Sequence, residues 1–542
     1  MNVVIIGGVA GGMSCATRLR RLDENAQITV IERGEHVSFA NCGLPYFAGG
    51  VIEEKDNLLL QTPQSLKKRF NIDVKVKHEV IKIKPESQEV VVKNIQNNVI
   101  EIISYDKLVL SMGAAPFIPP MEGSENLITL RNIEDLDKLV ERIQKSKQNN
   151  STAIVIGAGF IGLEVAENLK HQGLEVTLIE LANQVLPPLD KDMAYFVERE
   201  LISKGISLKL GLSVTSATQN SVKLSNGETI NADLLFASIG VRPEIKIAQD
   251  AGIEIGKRGG VVVNNSMQTN MKNIYAVGDM VEKIDALTGD STLIALANIA
   301  NKQGRRAADS IAGIKVPIET NKSNGTAVVK VFDLTVAMTG QSSKRLENIN
   351  KQYTSIHIHP NNHAGYYPGA KQMHLVVHID PITGEIFGAQ GVGPSDVARR
   401  IDVISTAMRG GIKAQELIDI ELAYAPQYGS AKDAINMIGY IAEGIVVEKN
   451  HVISVQNISG QQVLDVRTEE EFMQGHIPGS LNIEIDQLRE RHSELNKNIE
   501  VIVTCQVGQR GHSATKLLRN LGYDAYNLDG GYLTWSAFQG QH

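Results

Sequence analysis

The stretch Ala153-Ile154-Val155-Ile156-Gly157-Ala158-Gly159-Phe160-Ile161-Gly162 decides the fold. A short apolar run reads as a buried strand, and the glycines at 157, 159 and 162 follow it with the spacing G-x-G-x-x-G. The first glycine permits a tight turn, the second lets backbone approach a pyrophosphate, and the third lets the next helix pack closely. A further strand, Glu175-Val176-Thr177-Leu178-Ile179, ends on Glu180. A carboxylate there accepts from a free ribose 2′-hydroxyl and repels a 2′-phosphate, which favours NADH over NADPH, a preference that nearby basic residues can soften.

The same pattern opens the chain. Asn2 to Ile6 is a strand candidate, followed by Gly7-Gly8-Val9-Ala10-Gly11-Gly12, a helix through Leu22, a strand Ile28-Thr29-Val30-Ile31, and Glu32. Val9 stands where the middle glycine is expected. The helix N-terminus behind such a turn faces the pyrophosphate, and the acid that ends the second strand accepts from ribose hydroxyls.

At 542 residues the chain exceeds what one hydrophobic core serves, so three or four domains are expected. A net charge of -7, with both signs interspersed, offers no basic stripe for a nucleic acid. The start Met1-Asn2-Val3-Val4-Ile5-Ile6-Gly7 has no basic leader before its apolar run, and no apolar run approaches the ~20 residues that cross a bilayer. The three cysteines show no redox-pair spacing, which fits free thiols in a reducing cytoplasm. No metal site is expected.

Two of those cysteines sit in short motifs expected to expose a reactive sulfur. Cys42 lies in Ser38-Phe39-Ala40-Asn41-Cys42-Gly43-Leu44-Pro45-Tyr46 and Cys505 opens Cys505-Gln506-Val507-Gly508-Gln509-Arg510-Gly511. With no Cys-x-x-Cys or Cys-x4-Cys anywhere, Cys42 acts alone. A lone cysteine can alternate between thiolate and a mixed disulfide with substrate, or between thiolate and sulfenic acid. Cys15, on the helix after the first glycine turn, reads as a small buried hydrophobe.

Two dinucleotide units about 150 residues apart, with Tyr105 to Pro116, Ala232 to Pro243 and Ile274-Tyr275-Ala276-Val277-Gly278-Asp279, resemble the FAD-dependent pyridine nucleotide-disulfide reductases. The resemblance implies an α/β chain with two Rossmann-like domains, for FAD and NAD. Tyr105 to Pro116 would link them and Ala232 to Pro243 would return the chain. FAD and NAD(H) would be held by Gly7, Gly8, Ala10, Gly12, Glu32, Arg33, Gly113, Gly157, Gly159, Gly162, Glu180, Gly240, Gly278 and Asp279. The segment from Ser38 to Tyr46 looks like the coenzyme A-disulfide reductase branch of that family. By that resemblance Ser14, Arg18, Arg21, Ser38, Asn41, Arg69, Arg305 and Lys432 surround coenzyme A, although Phe70 stands where the family often has a lysine. Guanidinium groups suit the ligand's phosphates.

From about Gly325 the chain resembles that family's α+β dimerisation domain, in which Tyr366 and Tyr424 would reach the cysteine of a second copy. A phenol there can protonate or hydrogen-bond a leaving thiolate. After the polar break Lys449-Asn450-His451, the segments Val463-Leu464-Asp465-Val466-Arg467, Gly475 to Asn482, Cys505 to Arg510 and Leu528-Asp529-Gly530-Gly531 with Trp535 resemble rhodanese, a small α/β sulfur carrier. A six-residue loop can point backbone N–H groups at the sulfur, an anion nest that stabilises a persulfide, with Arg510 adding charge for an anionic donor. The expected domains are 1–112 and 244–322 (FAD), 113–243 (NAD), 323–448 (dimerisation) and 456–542 (rhodanese).

The resulting expectation is a homodimeric flavoprotein without membrane or nucleic-acid partners. It uses NADH, with NADPH left open as an alternative, to reduce a small thiol-derived substrate through Cys42: coenzyme A persulfide, polysulfide or coenzyme A disulfide. Cys505 carries sulfane sulfur. Two rivals stand beside it: an NADH oxidase or peroxidase cycling Cys42 through sulfenic acid, and a sulfurtransferase acting mainly through Cys505.

Overall fold

Parallel strands buried on both faces account for the continuous apolar runs of the sequence. In a computed structural model of the chain, which describes residues 1–146, 151–315 and 321–540, Asn2–Ile6 is the middle strand of a five-stranded parallel sheet. Gln27–Ile31 and then Asp73–Lys75 lie on one side of it, Lys107–Leu110 and then Ile274–Ala276 on the other. The strand order reverses beside Asn2–Ile6, so a crevice opens at its C-terminal end, where the glycine turn sits. The helix Ala10–Leu22 covers the sheet with Cys15, Ala16 and Leu19 against Val3, Ile5 and Val30. Helix Ala297–Ile311 crosses it so closely that a Cβ at Gly304 would stand 2.1 Å from the carbonyl oxygen of Gly11.

A second parallel sheet repeats the plan, with Thr152–Ile156 between Glu175–Glu180 and Leu234–Ala237 and with Ser207–Leu210 at the edge. Each sheet has an antiparallel three-stranded companion: His78–Lys84, Glu89–Asn94 and Ile100–Ser104 for the first, Val214–Ala217, Ser221–Leu224 and Thr229–Asn231 for the second. The strands Ala114–Pro116 and Val241–Pro243, which carry the chain from one sheet to the other and back, pair antiparallel. These elements form one unit, Met1–Asn183 with Gly205–Ser323.

The other unit comprises Gln184–Lys204 and Asn324–His542. It holds a five-stranded antiparallel sheet in the spatial order Ala327–Val331, Leu334–Gly340, Ile386–Gly393, His374–Ile379, Thr354–Ile358. Helices Val397–Gly410 and Ala434–Val446 bury Ile401, Ile404, Ile435 and Ile438 against it. A separate five-stranded parallel sheet follows, centred on Val501–Thr504 and backed by helices Gln509–Asn520 and Gly531–Gln539. The last two residues of the expected rhodanese stretch lie outside the described residues. Among the described residues no helix is long and apolar enough to cross a membrane.

Candidate active site

The two glycine turns are built alike. Gly7 and Gly157 both adopt φ of 100°, a conformation open to glycine at no steric cost. A Cβ on Gly12 would lie 2.0 Å from the oxygen of Gly7, and one on Gly162 1.9 Å from that of Gly157, so both third glycines are required by close packing. Glu32 accepts from the N–H groups of Gly8 and Gly34, each at 2.8 Å. Glu180 accepts likewise from Ala158 at 2.7 Å and Ala182 at 2.9 Å. Each carboxylate is thereby fixed at the mouth of its turn. Gly159 and Gly240 have open space where a Cβ would project, whereas Val9 fills the corresponding place in the first turn. Arg33 is turned toward Glu244 at 3.2 Å and Glu79 at 3.8 Å.

Asp279 follows Gly278, whose N–H donates to Gln303 Oε1 at 2.8 Å. Its Oδ1 is buried without a partner, and burial pushes its carboxyl above the usual range against the pull of Lys283 and Arg131. A buried acceptor of this kind suits a hydroxyl donor of a cofactor chain, so the residues present fit a flavin dinucleotide. Lys283, itself buried, donates to the Gly278 oxygen at 2.7 Å, and burial brings its ammonium down to about 8. Gly113, like Gly278, has positive φ, and the neighbouring Met112 carbonyl accepts from Arg131 at 2.9 Å.

Cys42 lies in the single turn Asn41–Gly43 directly before the helix Leu44–Ala48, and its side chain is exposed. The protein packed behind it still raises the thiol above its usual value, helped by the negative charges of Glu164 and Asp279. Its Sγ is 3.8 Å from Asn41 Oδ1. Tyr46, on that same short helix, donates to Glu164 Oε1 at 3.1 Å. Glu164 belongs to Phe160–His171, the helix that starts at the second glycine turn, and burial raises its carboxyl too. The short helix that follows Cys42 is therefore tied through Tyr46 and Glu164 to the second cradle. Sequence reading missed both residues, although Tyr46 lay inside the quoted motif.

Of the residues expected around coenzyme A, Ser14 and Arg18 bridge two helices: Ser14 Oγ donates to Asn301 Oδ1 at 2.7 Å and Arg18 Nε to Asp309 Oδ1 at 2.8 Å. Arg305, one turn beyond Asn301, and Arg21 are exposed on this helix pair. Ser38 has φ of 51° and its N–H donates to the Gly8 oxygen at 2.7 Å, beside the first turn. Arg69 is exposed on helix Pro63–Phe70, whose end is tied back by Arg20 donating to the Phe70 oxygen. Lys432 belongs to the other unit, as do Tyr366 and Tyr424, whose exposed phenols share a hydrogen bond of 3.0 Å.

Cys505 corrects one expectation. Its side chain is buried, not exposed, packed among Val503, Ala514 and Leu464 at the end of the central strand. Helix Gln509–Asn520 begins inside the predicted loop, with Gly508 at φ of 86° as its cap and Arg510 on its first turn. The N–H groups of Tyr532 and Leu533 bind the Cys505 and Gln506 oxygens at 2.8 and 3.1 Å, closing the loop from the far side. Arg510 faces the Cys505 thiol and also forks onto Glu471, a residue that sequence reading passed over. Cys15 is buried as expected, and burial followed by the charge of Asp309 pushes its thiol to about 12, so it is inert at neutral pH.

Paired dinucleotide cradles with one exposed thiol between them define a redox enzyme that moves electrons between a nicotinamide and sulfur. The sequence profile for pyridine nucleotide-disulphide oxidoreductases matches residues 1–304, and that family's dimerisation-domain profile matches 326–434. The chain belongs to the pyridine nucleotide-disulphide oxidoreductase family and carries a rhodanese-like domain over residues 452–538. It is 37% identical over 444 residues to a coenzyme A disulfide reductase of Staphylococcus haemolyticus, covering 82% of this chain and all of the relative. Its fold is similar to that of reduced Bacillus anthracis CoADR-RHD, with a TM-score of 0.97 and 42% identity over 99% of this chain and 98% of the other. A NAD-dependent persulfide reductase from A. fulgidus superposes with a TM-score of 0.92 at 35% identity, covering 99% of this chain and 100% of that one.

Proposed function

We propose that the protein is an NADH-dependent flavoprotein that reduces coenzyme A persulfide or coenzyme A disulfide through Cys42, with Cys505 carrying sulfane sulfur. The observation that carries this reading is the exposed, lone thiol of Cys42, directly before a short helix that Tyr46 and Glu164 tie to the helix of the second cradle. The first cradle, with Glu32, Arg33, Gly113 and Asp279, would hold FAD; the second, with Gly157, Gly159, Gly162 and Glu180, would hold NADH. A bound flavin would supply the two-electron link between nicotinamide and sulfur.

Cys42 as thiolate attacks a sulfur of the substrate, forming a mixed disulfide with coenzyme A and expelling sulfide from a persulfide or coenzyme A thiolate from a disulfide. Two electrons then cleave the mixed disulfide, releasing coenzyme A and restoring Cys42. Ser14, Arg18, Arg21, Ser38, Asn41, Arg69, Arg305 and Lys432 are assigned to the coenzyme A moiety, the arginines to its phosphates. In a homodimer, Tyr366 and Tyr424 would reach the cysteine of the second copy and donate to the departing thiolate, which the exposure of both phenols leaves room for.

The test is anaerobic NADH oxidation with coenzyme A persulfide and, separately, coenzyme A disulfide, following sulfide and repeating with Cys42→Ser. Turnover that releases sulfide and disappears in the variant supports the persulfide reading. Preference for the disulfide makes the rhodanese-like domain accessory, and turnover of neither substrate returns the sulfenic acid cycle.

A further inference from the structure

His357 is a charged group held between two acids where the rhodanese-like sheet meets the antiparallel sheet, inside a single unit of the fold. It lies on the edge strand Thr354–Ile358. Its Nε2 is 2.9 Å from Asp192 Oδ2, on helix Lys191–Ser203, and its Nδ1 donates to Asp529 Oδ2 at 2.5 Å. Its backbone N–H also donates to Asp529 Oδ1 at 2.9 Å, so one carboxylate is gripped twice by one residue. The side chains of His357, Asp192 and Asp529 are 12, 10 and 8% exposed, so water screens the pairs little.

Asp529 is one residue from the glycine pair that backs the sulfur loop. Gly530 lies against His357: a Cβ there would stand 2.7 Å from the His357 Cβ. Gly531 lies against the loop: a Cβ there would stand 2.4 Å from the Cys505 oxygen and 2.7 Å from the Gly508 nitrogen. The next two residues, Tyr532 and Leu533, donate to the Cys505 and Gln506 oxygens. A continuous path of bonds and contacts therefore runs from Asp192 through His357 and Asp529 to the backbone on which Cys505 is mounted.

We propose that His357 is a positioning residue for sulfur transfer at Cys505: clamped by Asp192, it fixes Asp529 and with it the Gly530-Gly531 turn that sets the loop around the sulfur. The inference rests on the reading of Cys505 as the sulfur carrier. Burial works against a charge on His357, but Asp529 and Asp192 outweigh it and hold the imidazolium well above its ordinary range. The neighbouring histidines are neutral at pH 7: His359, just past the end of that strand, and His374, on His374–Ile379, are both pushed down by burial, His374 to about 4. His359 Nε2 meets Thr534 Oγ1 at 2.8 Å, an uncharged tie to the helix Gly531–Gln539 that follows the glycine pair. The clamp is complete below the usual histidine value near 6.5 and weakens as pH rises through the raised value of the folded protein.

The experiment measures transfer of the outer sulfur of thiosulfate to cyanide by the full-length protein across pH. In this reaction the Cys505 thiolate takes the sulfur and releases sulfite, and cyanide removes it as thiocyanate. His357→Gln should lower kcat roughly 10- to 100-fold with KM little changed, as small misplacements of a reacting group do, and should lack the alkaline fall of the parent. Asp192→Asn keeps shape but removes one acid, so the alkaline fall should move to lower pH. NADH-driven disulfide reduction through Cys42 should be unchanged in both. Should His357→Gln unfold the rhodanese-like domain, as read from Trp535, the sole tryptophan, the pH shift of Asp192→Asn decides. An alkaline limb that does not move in Asp192→Asn, or a His357→Gln rate within twofold of the parent, overturns the proposal. Cys505→Ser that still transfers sulfur instead overturns the reading on which it rests.

Discussion

Arg510 grips Glu471 with both terminal nitrogens, Nη1 to Oε2 at 2.7 Å and Nη2 to Oε1 at 2.6 Å. A fork meeting a carboxylate in this way fixes the guanidinium plane as well as its position. The cation beside Cys505 is thus aimed by an acid from a different helix, Glu469–Met473, where Glu471 also completes a capping box with Thr468.

Hydrogen bonding by Arg510 holds the Glu471 carboxyl down at about 2, below its usual 4.5. A depressed carboxyl stabilises the fold above its unfolded value and loses that contribution as pH falls through the folded one. Acid unfolding of the rhodanese-like domain, followed by Trp535 emission, should therefore steepen between pH 4.5 and 2, and Glu471→Gln should flatten that limb. An unaltered limb in the variant would mean that the pair is too solvated to matter.

Burial and the charges of Glu164 and Asp279 disfavour the Cys42 thiolate in the ligand-free chain. Glu164→Gln removes one of those charges, so the thiol should ionise more easily. Alkylation by iodoacetamide, measured against pH on the flavin-free protein, should shift to lower pH. A superimposable profile would assign the whole effect to burial.

Gly159 projects its missing Cβ into open space, whereas Gly162 abuts the Gly157 oxygen. Alanine at 159 should leave the melting temperature within about 1 °C, as expected for a change that meets no protein atom, while raising KM for NADH. Alanine at 162 should lower the melting temperature itself. Equal effects on stability would refute the assignment of position 159 to ligand approach.

Arg20 is buried and donates to the carbonyl oxygens of Phe70, Asp23, Glu24, Ala26 and Asn71. Arg20→Met keeps much of the volume but strands those acceptors, at a cost on the order of 3 kcal/mol. Denaturant unfolding should show the loss as a lower midpoint with an unchanged slope.

The glycine turns, their terminal acids and the Cys42 motif were legible in sequence because each is local: a few residues whose spacing alone fixes their chemistry. The same holds for the strand that delivers Cys505. The burial of Cys505 was not legible, because it depends on Tyr532 and Leu533 folding back onto the loop. Nor was the clamp at His357, whose two acids stand 165 positions before it and 172 after it in the chain. Asp529 lay inside a quoted motif, but nothing local to it points to His357 or Asp192, and only the folded chain brings the three together. Glu164 lay between these cases: its helix was anticipated, but its partner Tyr46 came from the other dinucleotide unit.

The near-identity of the two glycine turns has a consequence for ligand selection. Because Gly7 with Glu32 and Gly157 with Glu180 present the same donors and acceptors, neither turn can by itself tell one adenine dinucleotide from another. Sorting falls to what lies beyond the shared turn, Val9 in one case and the bare backbone of Gly159 in the other, and to the orphan oxygen of Asp279. The shared turn therefore fixes only where a dinucleotide's pyrophosphate would lie, and the residues just outside it decide which dinucleotide each cradle accepts.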